Sequence, residues 1–166
     1  FNNVTLARRG SSGWKVEIKG KRRHSAGIFL NGVGAGAIFE SGRILNDFYE
    51  TLKGETYLTF NPGIILGGTE ISYDEPSNTG NAFGKTNVVA QSVIIDGDLR
   101  FISDEQKERT REKMREIVSN NLPETSAEIT FFDSYPAMPP TQKNKDLLKK
   151  FSDVSVSMGH GLVEAW

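Results

Sequence analysis

No cysteine occurs anywhere in the chain. Disulfides, thiolate zinc sites and cysteine nucleophiles are therefore excluded together, and the redox compartment is left undecided. Histidine is almost as scarce, with only His24 and His160, and neither belongs to a paired-histidine helix motif such as HExxH. A zinc centre needs three or four close N, S or O ligands, so two isolated histidines argue against a complete site within this chain. No apolar run approaches the roughly 20 residues that would cross a bilayer as a helix, and no membrane partner is expected. Net charge is nearly absent as well. The 20 Lys and Arg against 21 Asp and Glu give −1, so a nucleic-acid partner would need a local patch rather than an overall field. The chain opens on Phe1 with no signal-peptide pattern, and is expected to be a piece of something longer, from cytoplasm or periplasm.

What is present reads as one ordinary folded domain, with 37% hydrophobic and 25% charged residues. WKVEIK, residues 14–19, alternates apolar and charged side chains, the pattern of a strand with one wet face. From about Gly34 to Leu52 the period becomes helical, with Ile38, Leu45 and Leu52 at sevens and Ile44, Phe48 and Tyr49 filling in, which predicts one helical stripe facing a core. Residues 56–73 are β-prone and punctuated by Pro62-Gly63 and Gly67-Gly68, predicting a long or bulged strand pair. Residues 74–86 read as a turn-rich loop, and 87–101 as a strand with a bend at Gly97. Ser103 and Gln106 form a capping box that opens a helix to about Asn120, with a narrow stripe of Thr110, Met114, Ile117 and Val118. AEITFF, residues 127–132, is the last strand. The order strand, helix, strand, strand, helix, strand predicts an α+β, ferredoxin-like βαββαβ sandwich, an antiparallel four-stranded sheet with two helices on one face and the other face open. A proline-rich connector and a short amphipathic helix, KDLLKKF, follow, with a boundary near 138–143.

Several stretches invite a chemical reading. Lys19, Lys21, Arg22 and Arg23 crowd round His24, but the base-stacking aromatics of an RNA-binding sheet are missing, and a solvated turn explains the cluster. Arg22-Arg23-His24-Ser25 also suits a basophilic kinase, a match that short sequences give often by chance. GVGAG, residues 32–36, lacks the Lys-Ser/Thr of a phosphate loop and fits close packing at a helix start. Asp96-Gly97-Asp98 suits a turn better than a cation site. His160 sits among glycines as a loop histidine.

Together these pieces resemble the dimerisation (lid) domain of the zinc-dependent metallopeptidases of the glutamate carboxypeptidase and aminoacylase group. The strings that carry the resemblance are ARRGSSGWKVEIKGKRRHSAGIF, GVGAGAIFESGRIL, YLTFNPGIILGGT, GKTNVVAQSVIIDGDLRF and LPETSAEITFFDSYPAMPPT, in that order. The resemblance implies that residues 1–140 form the lid and that 141–166 begin the return into a catalytic domain absent from this chain. It implies a homodimer, two zinc ions in that other domain, and hydrolysis of an amide next to a free carboxylate in a peptide or N-acyl amino acid. Gly20, His24 and Ser25 match a Gly-x-x-x-His-Ser/Ala string whose histidine, in the family, reaches into the partner's active site to stabilise the oxyanion. Asn87 and Arg100 match residues that grip the substrate carboxylate. This chain departs from the pattern at Arg23, where many relatives have a small residue, and at Ala90, where many have proline. With no zinc ligands and no H-x-D string, the isolated chain is expected to be inactive. The competing expectation is a free-standing ferredoxin-like binding or oligomerisation module whose basic turn meets an acidic or nucleic-acid partner.

Overall fold

The structure is a computed structural model that describes residues 2–165. In chain order its elements are β1 (Asn3–Val4), β2 (Gly10–Gly20), α1 (Gly36–Leu52), β3 (Thr59–Gly68), β4 (Glu70–Asp74), β5 (Thr79–Phe83), β6 (Ser92–Phe101), α2 (Asp104–Ser119), β7 (Thr125–Tyr135), α3 (Gln142–Ser157) and β8 (Glu164–Ala165). The main sheet has the order β3-β6-β2-β7, and every neighbouring pair is antiparallel. With α1 and α2 on one face, this is the expected ferredoxin-like sandwich.

The alternation in β2 sends Trp14, Val16 and Ile18 into the core, where each is fully buried. They meet Val93, Ile95 and Leu99 of β6, Ile44 and Phe48 of α1, and Met114 of α2. The indole of Trp14 is the largest of these groups. It meets Phe48 edge-on, with ring centres 5.6 Å apart, and its N–H donates to the Asp98 carbonyl at 3.0 Å. Trp14 faces Gly97 across the ladder, and a Cβ at 97 would come within 2.4 Å of the indole and 2.3 Å of the Asn61 carbonyl. The bend expected at Gly97 is therefore a close approach. The partner strand accommodates it with a register shift between Pro62 and Ile64.

The capping box at α2 forms largely as its sequence predicts. Ser103 Oγ accepts from the Gln106 N–H at 3.1 Å, while Gln106 Oε1 accepts from Ile102, one residue before the cap. The stripe of Thr110, Met114, Ile117 and Val118 is buried. Glu40 on α1 is fully buried too. It pairs with Arg43 at 2.6 Å and accepts the Leu122 N–H at 2.9 Å, tying α1 to the exit of α2.

Several expectations change. On α1 only Ile44, Phe48 and Leu52 of the expected core stripe are buried, whereas Ile38 and Tyr49 are more than half exposed on a neighbouring face. Residues 56–73 do not pair with each other: β3 lies on the sheet edge beside β6, and β4 leaves the sheet. The segment 74–86 is not merely a loop, because its second half is β5, which closes a hairpin with β4 across a turn at Asn78. The face opposite the helices is consequently covered over β3 and β6, while on the β7 side Glu17, Glu128 and Phe132 remain exposed. The hairpin folds onto it: the Tyr73 hydroxyl donates to Asp96 at 2.9 Å, Lys15 pairs with Glu75, and Gly80 packs against Leu66. Polar, Pro-containing turns hide such a hairpin from periodicity, since its tip carries no apolar alternation. The last strand and α3 also run longer than expected, to Tyr135 and Ser157.

Gly97→Ala should destabilise the domain by about 1–3 kcal/mol, the usual cost of overpacking a filled core. Urea denaturation followed by tryptophan fluorescence measures it, and a midpoint equal to wild type would show that the indole does not depend on this contact.

Candidate functional site

The candidate residues lie at the two ends of β6. At the first end, β2 stops at Gly20, where a Cβ would meet the Ala37 nitrogen at 2.7 Å, so residue 20 must be small for α1 to begin there. The basic turn follows, and the chain then runs against the segment that leads into β6. The Val89 N–H donates to the Arg23 carbonyl at 2.8 Å, the Ser25 N–H donates to the Asn87 carbonyl at 2.9 Å, and His24 sits opposite Val88. Thus the structure brings Asn87 against His24 and Ser25, although it stands far from them in sequence. Asn87 belongs to the turn before β6 rather than to the strand itself.

His24 caps a single 3₁₀ turn, Ser25–Gly27, and its Nδ1 accepts the Ala26 N–H at 3.1 Å. A neutral imidazole whose Nδ1 accepts must carry its proton on Nε2. The side chain is exposed, which leaves that N–H free to donate outward. Of the surrounding cations, Lys21 pairs with Glu124, and Arg22 lies 3.6 Å from Glu70, so the turn is partly neutralised. GVGAG packs the start of α1 against Val89 and Pro123, as its sequence suggests. An apolar cleft of about 630 Å³, walled by Phe29, Leu30, Phe39 and Pro123, opens beside the loop that follows His24.

Arg100 lies at the other end. At about 3.3 Å per residue, the run from Ser92 to Arg100 spans on the order of 26 Å, so one protomer does not bring Arg100 near His24 or Asn87. Asp98 holds the Arg100 Nε at 2.8 Å and raises the guanidinium above its ordinary pKa, with Tyr135 adding to the effect. Thr59, Arg100, Ser11 and Tyr135 form one row across all four strands. Arg100 donates to the Tyr135 hydroxyl, and Arg8 lies 5.0 Å above the same ring. Arg8 and Tyr135 escape a reading of the sequence. The signal available was Arg8-Arg9 immediately before the first long strand, but only the sheet register shows that Tyr135 shares a row with Arg100.

His160 lies between α3 and β8, where its carbonyl accepts from Asn2 at 2.8 Å. Among the described residues no three His, Asp or Glu side chains gather as metal ligands, so these residues do not form a fitting zinc centre.

Residues 6–126 match the family described as "Peptidase dimerisation domain". The chain belongs to this family. Its fold is also that of several solved structures, each similar at low identity. An aminopeptidase from Bacillus cereus is 16% identical with a TM-score of 0.66, over 99% of this chain and 39% of that one. A tripeptidase from Staphylococcus aureus is 19% identical with a TM-score of 0.63, over 99% and 39%. An amidase of the hydantoinase/carbamoylase family from Burkholderia multivorans is 11% identical with a TM-score of 0.63, over 98% and 36%. This dimerisation domain therefore spans about two fifths of the length of the structures it resembles. No curated protein matches it.

The hydrogen bond to Nδ1 predicts that neutral His24 is the Nε2–H tautomer. Long-range ¹H–¹⁵N NMR of the imidazole measures this, and a protonated Nδ1 in the neutral ring would contradict it.

Proposed function

We propose that this domain is the lid of an amide hydrolase, that it dimerises through the β3 edge and α1, and that the dimer completes a site neither protomer holds alone. The observation that carries the reading is a second apolar stripe on α1. Ile38, Gly42, Leu45 and Tyr49 recur at i, i+4, i+7 and i+11, beside the stripe that enters the core. Ile38 and Tyr49 are more than half exposed, as is Ile65 on the neighbouring strand. The outer edge of β3 has no partner strand among the described residues. The opposite side of the domain is different in kind. The outer surface of α2, next to β7, is laced with ion pairs such as Lys113–Glu116 and Arg115–Glu112. An unpaired edge beside an apolar helix face suits self-association, whereas a charged face suits water.

Two-fold symmetry then has a geometric consequence. Antiparallel pairing of β3 with its copy sets the Thr59 end of one strand beside the Gly68 end of the other. Arg100 is opposite Thr59, and Ser92 is opposite Gly68, with His24 and Asn87 just beyond. Arg100 of one protomer thus comes to the same end of the joined sheet as His24 and Asn87 of the partner subunit. The lateral gap from β6 to the partner's β6 is three strand spacings, on the order of 14 Å, against about 26 Å within one protomer. That gap suits a short peptide or an N-acyl amino acid. His24 Nε2–H is a ready donor to an oxyanion developing at the amide carbonyl. Arg100 offers a bidentate fork to a free carboxylate, and the Asn87 amide adds a donor to the bound substrate.

The two zinc ions implied by the resemblance belong, in this reading, to a separate catalytic domain that residues 141–166 begin to build. The support is at the other side of the molecule. β1 and β8 pair in parallel over two residues each, too short a ladder to stand alone. Leu147, Phe151, Val154 and Met158 of α3 and the residue after it are all more than half exposed at helical spacing. A cleft of about 350 Å³ between Val4–Leu6 and Leu148 extends that apolar surface. A parallel seam with an apolar helix beside it fits the border of an α/β catalytic domain.

Sedimentation tests the dimer. This chain should associate with increasing concentration, and Ile65→Lys should shift it to monomer with unchanged circular dichroism; a wild-type chain that stays monomeric at the highest soluble concentrations would refute the interface. Complementation tests the shared site in the full-length enzyme. His24→Ala and Arg100→Ala homodimers should each lose about 10²–10³-fold in kcat/KM, the scale of a missing oxyanion or clamp group. A mixed dimer of the two variants should recover up to half of wild-type activity, because one of its two sites is then intact. Full loss in the mixed dimer would place both residues in the same protomer's site, and full activity in the His24→Ala homodimer would remove the histidine from catalysis.

A further inference from the structure

The loop that follows His24 is apolar and uncovered. Phe29, Leu30 and Phe39 are each more than half exposed, and the rings of Phe29 and Phe39 lie 5.8 Å apart, centre to centre. Phe29 is held at φ 74°, a left-handed backbone that a bulky side chain rarely adopts. Glycine would sit there at no steric cost, so the loop keeps a phenyl ring where the backbone disfavours one. With Leu30, Phe39 and Pro123 this ring walls the cleft of about 630 Å³. A second cleft, of about 290 Å³, shares Ala35 and Phe39 with the first. It reaches Ser25 and Thr86, the chain neighbours of His24 and Asn87. Together they make an apolar groove that begins beside the candidate residues and ends at Phe29.

We propose that this groove seats the acyl side of the substrate, and that the acyl group is bulky, apolar and uncharged. The proposal rests on the reading of His24 and Arg100 as a site shared across the dimer, and adds to it the group beyond the scissile amide. The order of the sheet carries it. From the β3 edge outward the strands run β3, β6, β2, β7. At the His24 end, Asn87 precedes β6, His24 follows β2, and Leu122–Glu124 precede β7. A substrate whose carboxylate is held by Arg100 of the partner subunit therefore passes Asn87, then His24, then the cleft between Phe29 and Pro123. With the amide at His24, what extends past it is the acyl group. Pairing of β3 edges lies on the other side of His24 and leaves the Phe29 cleft open. The volume lies within the usual range of roughly 300–1,000 Å³ for small-molecule sites, far more than an acetyl group fills. Each methylene that leaves water for such walls strengthens binding about fourfold. Among the described residues no Lys or Arg lines the Phe29 cleft, and Glu124 at its rim already pairs with Lys21, so an anionic acyl group finds no counter-charge in it.

The first test uses this chain with benzamide and acetamide, neutral probes that give Arg100 nothing to clamp, read by NMR of the phenylalanine rings. Benzamide should shift the Phe29 and Phe39 signals and bind about tenfold or more tightly than acetamide. Phe39→Ala and Phe29→Ala, both at exposed positions, should each reduce that preference, and Arg100→Gln should not. Equal binding of the two probes, or no benzamide binding at tens of millimolar, would overturn the groove. The second test uses the full-length enzyme with N-benzoyl and N-acetyl derivatives of the common amino acids. Phe39→Ala should lower the benzoyl-to-acetyl ratio of kcat/KM about tenfold, whereas His24→Ala should lower both substrates and leave the ratio unchanged. If Phe39→Ala abolishes benzamide binding yet leaves the ratio unchanged, the groove seats something else, such as a side chain of the catalytic domain, and the proposal falls. A changed ratio with His24→Ala fully active would remove the histidine and leave the acyl groove standing. No turnover of any derivative would overturn the hydrolase reading, and the acyl assignment with it.

Discussion

Trp14 lies against β6 at the one position where that strand has no side chain, and the arrangement of the domain follows from this contact. Gly97 lets the indole reach the backbone, and the Asp98 carbonyl takes its N–H, so a large aromatic group is buried without an orphaned donor. With the indole seated, Phe48 packs against its edge and fixes α1 over the sheet. Beside the same glycine the edge strand shifts register between Pro62 and Ile64, and Ile65, opposite the buried Ile95, faces the helix side near the exposed stripe of α1. A packing requirement in the middle of the sheet thereby shapes the surface at its edge.

β6 is also the rod that separates the candidate residues. Its beginning receives the turn that holds Asn87 beside His24, and its end carries Arg100 into the row shared with Tyr135. An extended strand of this length cannot bend its ends together, so a single protomer keeps the histidine and the arginine apart. Symmetric pairing of the β3 edges offers a way to reunite them, and a domain built for pairing has reason to place complementary groups at opposite ends. Glu40 supports this arrangement from the core. By anchoring Leu122 it fixes the approach to Glu124, which in turn pairs with Lys21 in the turn before His24.

Much of the fold was legible in the residues. The alternation of WKVEIK, the narrow stripe of α2 and the Ser103–Gln106 cap each have a local physical cause, and each element formed where that cause placed it. The β4–β5 hairpin was not legible, because Asp74 to Asn81 is polar and broken by Pro76, and its inward residues Ile71 and Tyr73 are too few to show a period. The candidate site was legible in part. The string from Gly20 to Ser25 marked His24, and the Asp98–Arg100 pair marked the arginine; Arg8 had only the Arg8-Arg9 pair before β2 as a signal, and Tyr135 had none.

Residue patterns alone carried the order of the four sheet strands and the two helices that pack on them, and the buried faces of β2 and α2. Those properties depend on periodicity and residue type, which act over a few neighbouring positions. Tertiary structure decided which distant residues share a site. Hydrogen-bonded register put Asn87 against Ser25 and Tyr135 in line with Arg100, and the length of β6 set Asn87 and Arg100 at opposite ends despite their closeness in the chain. Register is a property of paired backbones, fixed only when two strands meet, and no single stretch of residues contains it.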